Sequence, residues 1–388
     1  MTRIAYVCCD PGVPVFGRKG ASVHVQEVVR ALIAADAEVE IFAVRIDGPV
    51  PPGLEATVVH RLPVPASTDA ASRELALLSS NDSLAEMLDR AGPFDVVYER
   101  HALWAHAGME YARRHGMDGL LEVNAPLVEE QAEHRLLHHR ALAEEVAARA
   151  FAAATALLAV SPAVASYLER HPEAAGRVHV VPNGVDPRRF EVPATRAARD
   201  DVAIAFVGTL KPWHGLDGLL DAFASLATAL PRARLLLIGD GPERSALVDR
   251  ASRAGIAERI TWTGAVAPEQ VPSLLAGADV GVAPYPRLPD FYFSPLKVLE
   301  YMAAGLPVVA SRSGSLPDLV GHGVHGLLYE PGDVPGLAAG IAELAADPAL
   351  RRRLGHQGRE KVRREHTWQA VARRILDLAR HGRPVATG

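Results

Sequence analysis

The chain has 388 residues and a formal net charge of −5, and 49% of its residues are hydrophobic and 22% are charged. This length exceeds what one ordinary hydrophobic core supports, so a soluble protein of two domains is expected. The composition gives no electrostatic signal for a nucleic-acid partner, and no run reaches the roughly 20 apolar residues that span a bilayer.

The first half of the chain alternates short apolar strands with helices. Strand Ile4–Cys9 is followed by a loop and by helix Ala21–Ala35, whose valines share one face with Leu32. Further strands are predicted at Glu38–Val44, Ala56–Arg61, Asp95–Tyr98, Gly119–Val123, Ala156–Val160 and Val178–Val181. Residues 49–82 are otherwise predicted to be irregular, and residues 127–153 to form one long helix. This α/β alternation is typical of a doubly wound parallel sheet.

Two features of the N-terminus bear on location. Cys8 and Cys9 are adjacent on a predicted buried strand, where a structural disulfide is not expected, and this indicates a reducing compartment. The apolar run in MTRIAYVCCDPG is too short for the hydrophobic region of a secretory signal. A cytoplasmic location is therefore expected, and the oligomeric state stays open.

Polar residues follow the carboxyl ends of several strands of the first half, where open α/β sheets bind ligands. The candidates are His24 in the first turn of the first helix, Arg100, His101 and Asn124 after strands, and Gly17 and Gly20 in the loop before that helix. Ordinary turns and solvated loops explain the same residues equally well. Two histidines at 134 and 138 have helical spacing without an accompanying cysteine or carboxylate pattern, so no metal site is predicted.

The second half repeats the pattern after a polar, proline-containing linker at residues 188–201. Strands are predicted at Val202–Val207, Ala233–Ile238, Ile260–Thr263, Val280–Ala283 and Val308–Ala310. Helices are predicted after Gly215, after Pro242, and at Glu269–Gly277, Gly332–Leu344, Pro348–Arg364 and Trp368–His381. Two such α/β layers predict two domains with a ligand cleft between them.

The stretch from Tyr285 to Ala310 has the features of a ligand-binding helix start. Ser294 suits the N-cap, and Pro295 suits the first helical position. Lys297 lies in the first turn, where the helix dipole disfavours a cation. A helix N-terminus with a lysine predicts a site for a strong anion such as a phosphate group. The alternative is that Lys297 extends into solvent and pairs with Glu300.

Four motifs occur in an order and spacing that resemble glycosyltransferase family 4. They are VPNGVD at 181–186, FVGTLKPWHG at 206–215, LLIGDGPE at 236–243 and SPLKVLEYMAAGLPVVAS at 294–311. The resemblance covers nearly the whole chain and implies the GT-B fold, in which two Rossmann-like domains face each other across a cleft. It implies an acceptor-binding domain at 1–190, a nucleotide-sugar-binding domain at 191–365, and a C-terminal helix at 366–388 that packs back on the first domain.

The resemblance also implies an activity, the retaining transfer of a sugar from a UDP- or GDP-sugar to a hydroxyl acceptor. No metal or other cofactor is expected, because helix dipoles and basic side chains replace a metal at the diphosphate. The acceptor is expected to be a small molecule or glycan, for example a soluble cyclitol, an aminoglycoside precursor or another secondary-metabolite core. The first half lacks an obvious polybasic amphipathic helix for anionic membranes, although a lipid-linked acceptor stays open.

Carried over residue by residue, the family's donor site has one clear match and three departures. Glu300 matches the second glutamate of the family's paired-glutamate motif, which holds the ribose hydroxyls. Tyr292 stands where the first, sugar-facing glutamate is expected, and Thr209 and His214 stand where an arginine and a lysine usually bind the diphosphate. The implied donor site comprises Gly208, Thr209, Lys211, Gly239, Gly264, Val266, Asp290, Tyr292, Phe293, Ser294, Pro295, Leu296, Lys297 and Glu300.

Lys211 and Lys297 take the catalytic role of stabilising the diphosphate, because negative charge develops there as the glycosidic bond breaks. On the acceptor side, Asn124 stands where the family's histidine is expected, and His24 is a second catalytic candidate. The implied acceptor site comprises Gly17, Gly20, His24, Arg100, His101 and Asn124, with Glu122 as a further candidate to orient the acceptor.

Other functions of the same scaffold stay open. A nucleotide-sugar epimerase would need no acceptor, and a non-catalytic nucleotide-sugar binder would tolerate the missing first glutamate. The presence of Lys211, Lys297 and Glu300 argues against a loss of catalysis. A phosphorylase would need a pyridoxal phosphate lysine in a longer chain, and a dehydrogenase is not expected because no G-x-G-x-x-G follows the first strand.

Overall fold

The structure is a computed structural model that describes residues 1–134, 136–191, 201–288, 291–292, 294 and 296–381. Three residues of the predicted donor site, Asp290, Phe293 and Pro295, lie outside the described residues, as does most of the predicted linker. The chain divides into two compact units, which are described separately. Unit 1 comprises Met1–Asn183, Tyr292–Ser294 and Trp368–Gly388, and unit 2 comprises Gly184–Phe291 and Pro295–Thr367.

Unit 1 is built on a seven-stranded parallel sheet with the order β3-β2-β1-β4-β5-β6-β7. Its strands are β1 (Thr2–Cys8), β2 (Ala37–Ala43), β3 (Val59–Arg61), β4 (Val96–Arg100), β5 (Asp118–Val123), β6 (Ala156–Ala159) and β7 (Val178–Val180). Residues 4–8 of β1 are all buried, as expected of a strand covered on both faces. The strand order reverses between β1 and β4, and open α/β sheets bind ligands at such a switch point.

Seven helices flank this sheet in the described part of unit 1. They are α1 (Gly20–Ala34), α2 (Ala70–Ala91), α3 (Ala107–Arg114), α4 (Leu127–His134), α5 (Arg140–Ala153), α6 (Pro162–Leu168) and α14 (Trp368–His381). Helix α14 packs against α1 and β5. The alternation of strands and helices predicted for this half is confirmed.

Two predictions about helices of unit 1 are wrong. The region predicted as irregular contains most of the 22-residue helix α2, which Asp69 caps by accepting from the Ser72 N–H at 2.9 Å. Its helical pattern is weak in the sequence because the buried face includes polar Ser80 and Asn81. The predicted long helix is two helices, α4 and α5. The Glu74 carboxylate of α2 accepts from backbone N–H groups of the turn between them, a contact that local sequence does not reveal.

Unit 2 repeats the architecture with a six-stranded sheet of order β10-β9-β8-β11-β12-β13. Its strands are β8 (Ala203–Val207), β9 (Arg234–Ile238), β10 (Ile260–Trp262), β11 (Val280–Ala283), β12 (Val308–Ser311) and β13 (Gly326–Tyr329). The helices are α7 (Leu216–Ser225), α8 (Arg244–Arg253), α9 (Val271–Leu275), α10 (Leu296–Ala303), α11 (Leu316–Leu319), α12 (Val334–Ala346) and α13 (Pro348–Glu365). The predicted fold class, two Rossmann-like parallel sheets, is confirmed.

Three further observations concern the chemical environment of the chain. Cys8 and Cys9 are free, buried thiols, and burial raises the pKa of Cys8 to about 12. Within the described ranges, none of the helices combines the length and apolar character needed to cross a membrane. The same residues contain no group of three or more histidine, cysteine, aspartate or glutamate side chains arranged to hold a metal ion.

Candidate functional site

The predicted donor residues of unit 2 gather at the carboxyl end of its sheet. Gly208, Thr209 and Lys211 follow β8, Gly239 follows β9, and Gly264 and Val266 follow β10, while Leu296, Lys297 and Glu300 lie on α10. Tyr292 and Ser294, which belong to the same predicted site, are part of unit 1. The strand order of unit 2 reverses between β8 and β11, so the turn after β8 lies at a switch point.

Two glycines let the turns after β8 and β9 approach each other closely. Gly208 has φ 144° and Gly239 has φ 136°, a region that side chains rarely adopt. A Cβ atom on Gly239 would lie 2.1 Å from the Gly208 carbonyl oxygen. The Gly208 N–H donates to the Ile238 carbonyl at 2.9 Å. Bare backbone therefore lines this part of the sheet edge, as a phosphate-binding turn requires.

Helix α10 is fixed to the sheet of unit 2 by the hydroxyl of Tyr301. The Val207 N–H donates to this hydroxyl at 2.8 Å, and the hydroxyl donates to the Val282 carbonyl at 3.2 Å. Lys297 lies four residues before Tyr301 and therefore on the same helix face. The bond network holds Lys297 beside the turn after β8, where a Cβ atom on Gly208 would lie 3.1 Å from the Lys297 Nζ.

Lys297 is buried at 8% exposure, so the alternative that it extends into solvent is wrong. Its Nζ lies 4.1 Å from the ring centroid of Phe206 and 5.1 Å from that of Tyr285. No described residue, Glu300 included, forms a hydrogen bond or an ion pair with this amine. Burial lowers the pKa of Lys297 to about 7, and Glu300 raises it only in part. Lys297 is therefore a buried amine without a counter-charge bonded to it among the described residues.

His214 and Lys211 complete the basic lining of the turn after β8. The His214 Nδ1 lies 2.5 Å from the Thr209 carbonyl, so Nδ1 carries the proton and Nε2 stays free to accept. Burial, helped by Lys297 and Lys211, lowers the pKa of His214 to about 3, so His214 is neutral. Lys211 is partly exposed, and its Nζ lies 5.2 Å from the ring centroid of Trp213.

Glu300 is partly buried one turn along α10 from Lys297. Burial raises its pKa to about 7, although Arg189 and Lys297 act to lower it. A carboxyl group of this kind accepts hydrogen bonds from hydroxyl groups when ionised, which is the role expected toward a ribose.

In unit 1, four side chains converge on the buried carboxylate of Glu122. Glu122 Oε1 accepts from Arg100 Nη1 at 2.9 Å and from Asn124 Nδ2 at 2.6 Å, and Oε2 lies 2.8 Å from His24 Nε2. The Tyr98 hydroxyl also donates to Oε2. Burial favours the neutral acid, but His24, Arg100 and Asn124 outweigh it and hold the pKa of Glu122 well below its usual range. We call these five residues the Glu122 cluster.

The Glu122 cluster lies at the switch point of the unit 1 sheet, because Arg100 ends β4 and His24 lies in the first turns of α1 after β1. Its inner side carries two buried polar atoms without a hydrogen-bond partner among the described residues, the Tyr6 hydroxyl and His24 Nδ1. The His24 ring also packs edge-on against Trp368 of α14, with ring centroids 5.2 Å apart. Three predicted acceptor residues, His24, Arg100 and Asn124, are thus brought together.

No hydrogen bond joins the side chains of the other predicted acceptor residues to the Glu122 carboxylate, although the His101 N–H donates to the Glu122 carbonyl at 2.8 Å. The His101 ring is buried against Phe151, with ring centroids 5.3 Å apart, and burial lowers the pKa of His101 to about 4. Gly20 begins α1 with open space where a Cβ atom would lie, whereas a Cβ atom on Gly17 would collide with Pro14 and with the Ser22 hydroxyl. The buried His101 ring therefore packs in the core of unit 1.

Tyr292, at the position of the missing glutamate, is already engaged within unit 1. Its hydroxyl donates to Glu130 Oε2 at 3.0 Å, and its carbonyl accepts from the Ser161 hydroxyl at 2.9 Å. The Ser294 carbonyl lies 3.5 Å from Asn183 Nδ2. Tyr292 is thus held through both its side chain and its backbone, and Ser294 through its backbone.

Sequence reasoning missed the aromatic residues that shape both sites. Tyr98 alternates with Arg100 along β4, so the two-residue period of a strand could have placed both on one face. Phe206 and Tyr285, which pack against Lys297, and Trp368, which covers His24, are far from their partners in sequence. No local pattern predicts these contacts.

Two family models match consecutive parts of the chain. The model of Glycosyltransferase Family 4 matches residues 18–189, and the model described as Glycosyl transferases group 1 matches residues 188–361. The boundary between the two matches, at 188–189, lies five residues after the end of the first segment of unit 1.

Relatives with assigned names are similar over part or most of the chain. A GDP-mannose-dependent alpha-(1-6)-phosphatidylinositol monomannoside mannosyltransferase of Mycobacterium tuberculosis is 32% identical over 217 residues, covering 53% of this chain and 56% of that protein. This chain thus matches about half the length of that relative. A D-inositol 3-phosphate glycosyltransferase of Streptomyces avermitilis is 31% identical over 372 residues, covering 87% of this chain and 77% of that protein.

Solved structures share the fold. The structure of Anabaena HepE in complex with UDP and glucose is 20% identical, covers 97% of this chain and 99% of its own, and superimposes with a TM-score of 0.75. At this identity the likeness shows the fold alone. Together with the two family models and the relative matched over most of both lengths, it leads to one conclusion. The chain belongs to glycosyltransferase family 4 and has the GT-B fold.

Proposed function

We propose that the protein is a retaining, metal-independent glycosyltransferase that moves a sugar from a UDP- or GDP-sugar to a hydroxyl acceptor. The observation that carries the proposal is Lys297, a buried amine beside the bare backbone of Gly208, with no anion paired to it among the described residues. A buried cation without a counter-charge is costly. A diphosphate bound at this point would remove that cost.

The donor would bind on unit 2. Lys297 and Lys211 supply two cations at the turn after β8, and the glycine at 208 lets a phosphate group approach the backbone there. Glu300 accepts from the ribose hydroxyls. UDP-sugars and GDP-sugars are both candidate donors, since one relative is named for GDP-mannose and a structure of the same fold holds UDP.

The chemical step would be a front-face transfer. The bond between the anomeric carbon and the diphosphate oxygen breaks, the acceptor oxygen bonds to the same face, and the acceptor proton passes to the departing phosphate oxygen. A double displacement needs a carboxylate under the anomeric carbon. Tyr292 stands at the expected sugar-facing position, and Asn124 stands at the acceptor-side position. Because neither side chain is a carboxylate, neither is a nucleophile of useful strength. Lys211 and Lys297 stabilise the charge that develops on the leaving group.

The acceptor would bind on unit 1 at the Glu122 cluster. Asn124 gives its N–H to Glu122, which leaves its carbonyl oxygen as an acceptor, and Arg100 has further N–H donors. Donors and acceptors side by side suit a hydroxyl-rich small molecule such as a cyclitol. The relative named for D-inositol 3-phosphate is consistent with this class.

Binding of nucleoside diphosphates tests the donor site. We expect calorimetry with UDP, GDP, ADP and dTDP, in the presence of EDTA, to give binding with UDP or GDP. Lys297→Ala and Lys211→Ala should each weaken it, because a lost charge-assisted bond costs about 1.5–3 kcal/mol, and Lys19→Ala in unit 1 should not. Binding that disappears in EDTA and returns with Mn²⁺ would contradict the metal-independent site.

The transfer itself is tested with the nucleotide sugar that binds and a panel of cyclitols and aminocyclitols. We expect a product whose anomeric configuration, read by NMR, equals that of the donor. An inverted product, or a glycosyl adduct trapped on a carboxylate, would contradict front-face retention. Conversion of the donor without any acceptor would instead favour a nucleotide-sugar epimerase, and binding without conversion would favour a non-catalytic binder.

A further inference from the structure

Lys297 occupies an unusual position for a lysine. Its Nζ lies between the rings of Phe206 and Tyr285, and none of the described residues offers it a hydrogen bond or an ion pair. Aromatic faces attract a cation, but they replace only part of the hydration that burial removes. Burial therefore makes the ammonium ion less favourable, relative to the free amine, than it is for an exposed lysine.

The charged groups on α10 and its neighbours do little to change this balance. Glu300 acts on Lys297 from one turn along α10, and Arg189, in the 3₁₀ turn Pro187–Phe190 that contacts α10, acts on Glu300 in turn. From α13, Arg359 donates to the carbonyls of Ala303 and Ala304 at the other end of α10. Glu300 thus acts on Lys297 without forming an ion pair with it, and Arg189 acts on Glu300 in the same way that Lys297 does.

The groups that face Lys297 from the sheet are basic or neutral. His214 and Lys211 lie in the turn after β8, and neither carries a negative charge that could pair with Lys297. The hydroxyls of Tyr285 and Tyr301 stay protonated, because burial raises the pKa of both. Burial likewise lowers the pKa of Lys297 to about 7. At slightly alkaline pH most molecules without a ligand hold this residue as the free amine.

We propose that the donor site takes up one proton from solvent, on Lys297, each time it binds a nucleotide diphosphate sugar, and returns it when the nucleotide leaves. This inference rests on the proposed function of unit 2 as the donor site. The balance is simple, because the amine, one proton and the nucleotide sugar give an ammonium ion paired with the diphosphate. No bond of the donor is broken in this step.

Because binding takes up a proton, the affinity for the nucleotide sugar should fall as the pH rises. The diphosphate stabilises the ammonium form, so the pKa of Lys297 rises on binding. Between the value of the free protein and that of the complex, binding weakens about tenfold for each unit that the pH rises. Below about pH 7 the residue is already protonated, and the affinity no longer depends on it.

Calorimetry can count the protons. UDP-glucose and GDP-mannose are suitable probes, because both of their phosphates are esterified and do not titrate near neutral pH. At pH 8, where Glu300 is largely ionised and cannot supply the proton, the binding enthalpy is measured in several buffers of different ionisation enthalpy. We expect uptake of about one proton per nucleotide sugar by the wild-type protein.

Matched variants assign the proton to its residue. Lys297→Met should bind more weakly with no uptake, and Lys297→Arg, which is always charged, should bind with no uptake. Lys211→Met should weaken binding but keep the uptake. Failure of both nucleotide sugars to bind would overturn the donor-site assignment and the coupling with it. Binding with an enthalpy that is the same in every buffer would overturn the coupling alone.

A measurement on the protein without ligand adds an independent check. The chain has only four lysines, at 19, 211, 297 and 361. Incorporation of lysine labelled with ¹³C at Cε therefore gives four NMR signals, and the Lys297 signal is identified by its loss in Lys297→Met. We expect this signal to titrate near pH 7 in the free protein and at least two units higher with a nucleotide sugar bound. Titration near pH 10 in the free protein would overturn the inference.

Discussion

Two glutamates on neighbouring strands show how differently the same side chain behaves in one sheet. Glu122 of β5 accepts from four side chains and is held as a carboxylate. Glu99 of β4 is fully buried on the opposite face, and no described side chain donates a hydrogen bond to it. The backbone N–H of Met109 acts to lower the pKa of Glu99, but burial outweighs it. Burial raises the pKa of Glu99 to about 8. Hydrogen-bond donors, not burial, decide the charge.

Glu99→Gln should change the pH dependence of stability. The native state binds the Glu99 proton more tightly than the unfolded chain does, so the wild type is stabilised at low pH and loses this stability as the pH rises from about 4.5 to about 8. Relative to Glu99→Gln, the wild type should lose up to about 1.4 kcal/mol per pH unit in this window. Urea unfolding at several pH values measures the difference.

Glu122→Gln is the matched comparison for this experiment. It removes the carboxylate charge that pairs with the buried guanidinium of Arg100, so it should lower the free energy of unfolding by about 3–5 kcal/mol at neutral pH. If both variants had the same effect at pH 8, the contrast between the two carboxyl groups would be wrong.

Helix α10 illustrates how one element is positioned for a site by a contact on its buried face. Gly281 of β11 makes room for the ring of Tyr301, since a Cβ atom there would lie 2.4 Å from the ring. The hydroxyl of Tyr301 then joins the backbones of β8 and β11 through Val207 and Val282. The N-terminal end of α10, where we propose that a phosphate group binds, depends on this anchor one helical turn away.

Tyr301→Phe should therefore affect both stability and the donor site. The substitution leaves the Val207 N–H and the Val282 carbonyl without this partner in a buried place, which costs about 1–3 kcal/mol. We expect the midpoint of urea unfolding to fall and UDP or GDP to bind more weakly. Tyr329→Phe is the control, since the Tyr329 hydroxyl has no hydrogen-bond partner among the described residues. An equal loss in both variants would argue against a specific anchor.

At the scale of the whole molecule, the elements that form one unit are not all consecutive in the sequence. Helix α14 comes last in the sequence, directly after the end of unit 2, yet it belongs to unit 1 and packs on α1 and β5. Trp368 and Ile375 are buried there, and Trp368 covers the His24 ring of the Glu122 cluster. Unit 1 is therefore completed only after the residues of unit 2 have been synthesised.

Deletion of residues 368–388 should damage unit 1 and spare unit 2. Loss of α14 exposes apolar surface of α1, so we expect faster hydrogen exchange in α1 and β5 and unchanged exchange in β8 to β13. Trp368→Ala is a milder variant that should give the same pattern if the truncated chain fails to fold. Faster exchange spread evenly over both units would contradict the assignment of α14 to unit 1.

Much of this protein can be read from its amino-acid sequence. Apolar strands separated by helices predicted both parallel sheets, because a strand buried on both faces needs a continuous apolar run and a crossover helix. Ser294, Lys297 and Glu300 marked the candidate donor helix, because capping and dipole effects act within one helical turn. The motifs at 181–186, 206–215, 236–243 and 294–311 indicated the family that the comparisons show.

Only the tertiary structure decided what surrounds these residues. Helix α2 went unpredicted because its buried face includes polar side chains that find partners elsewhere in the fold, as Asn81 does at the carbonyl of Trp104. The partners of Lys297 come from β8 and from the segment after β11, and those of Glu122 come from α1 and β4. A local pattern sets the face on which a side chain lies, whereas its charge depends on groups that are distant in sequence and that meet only when the sheet forms.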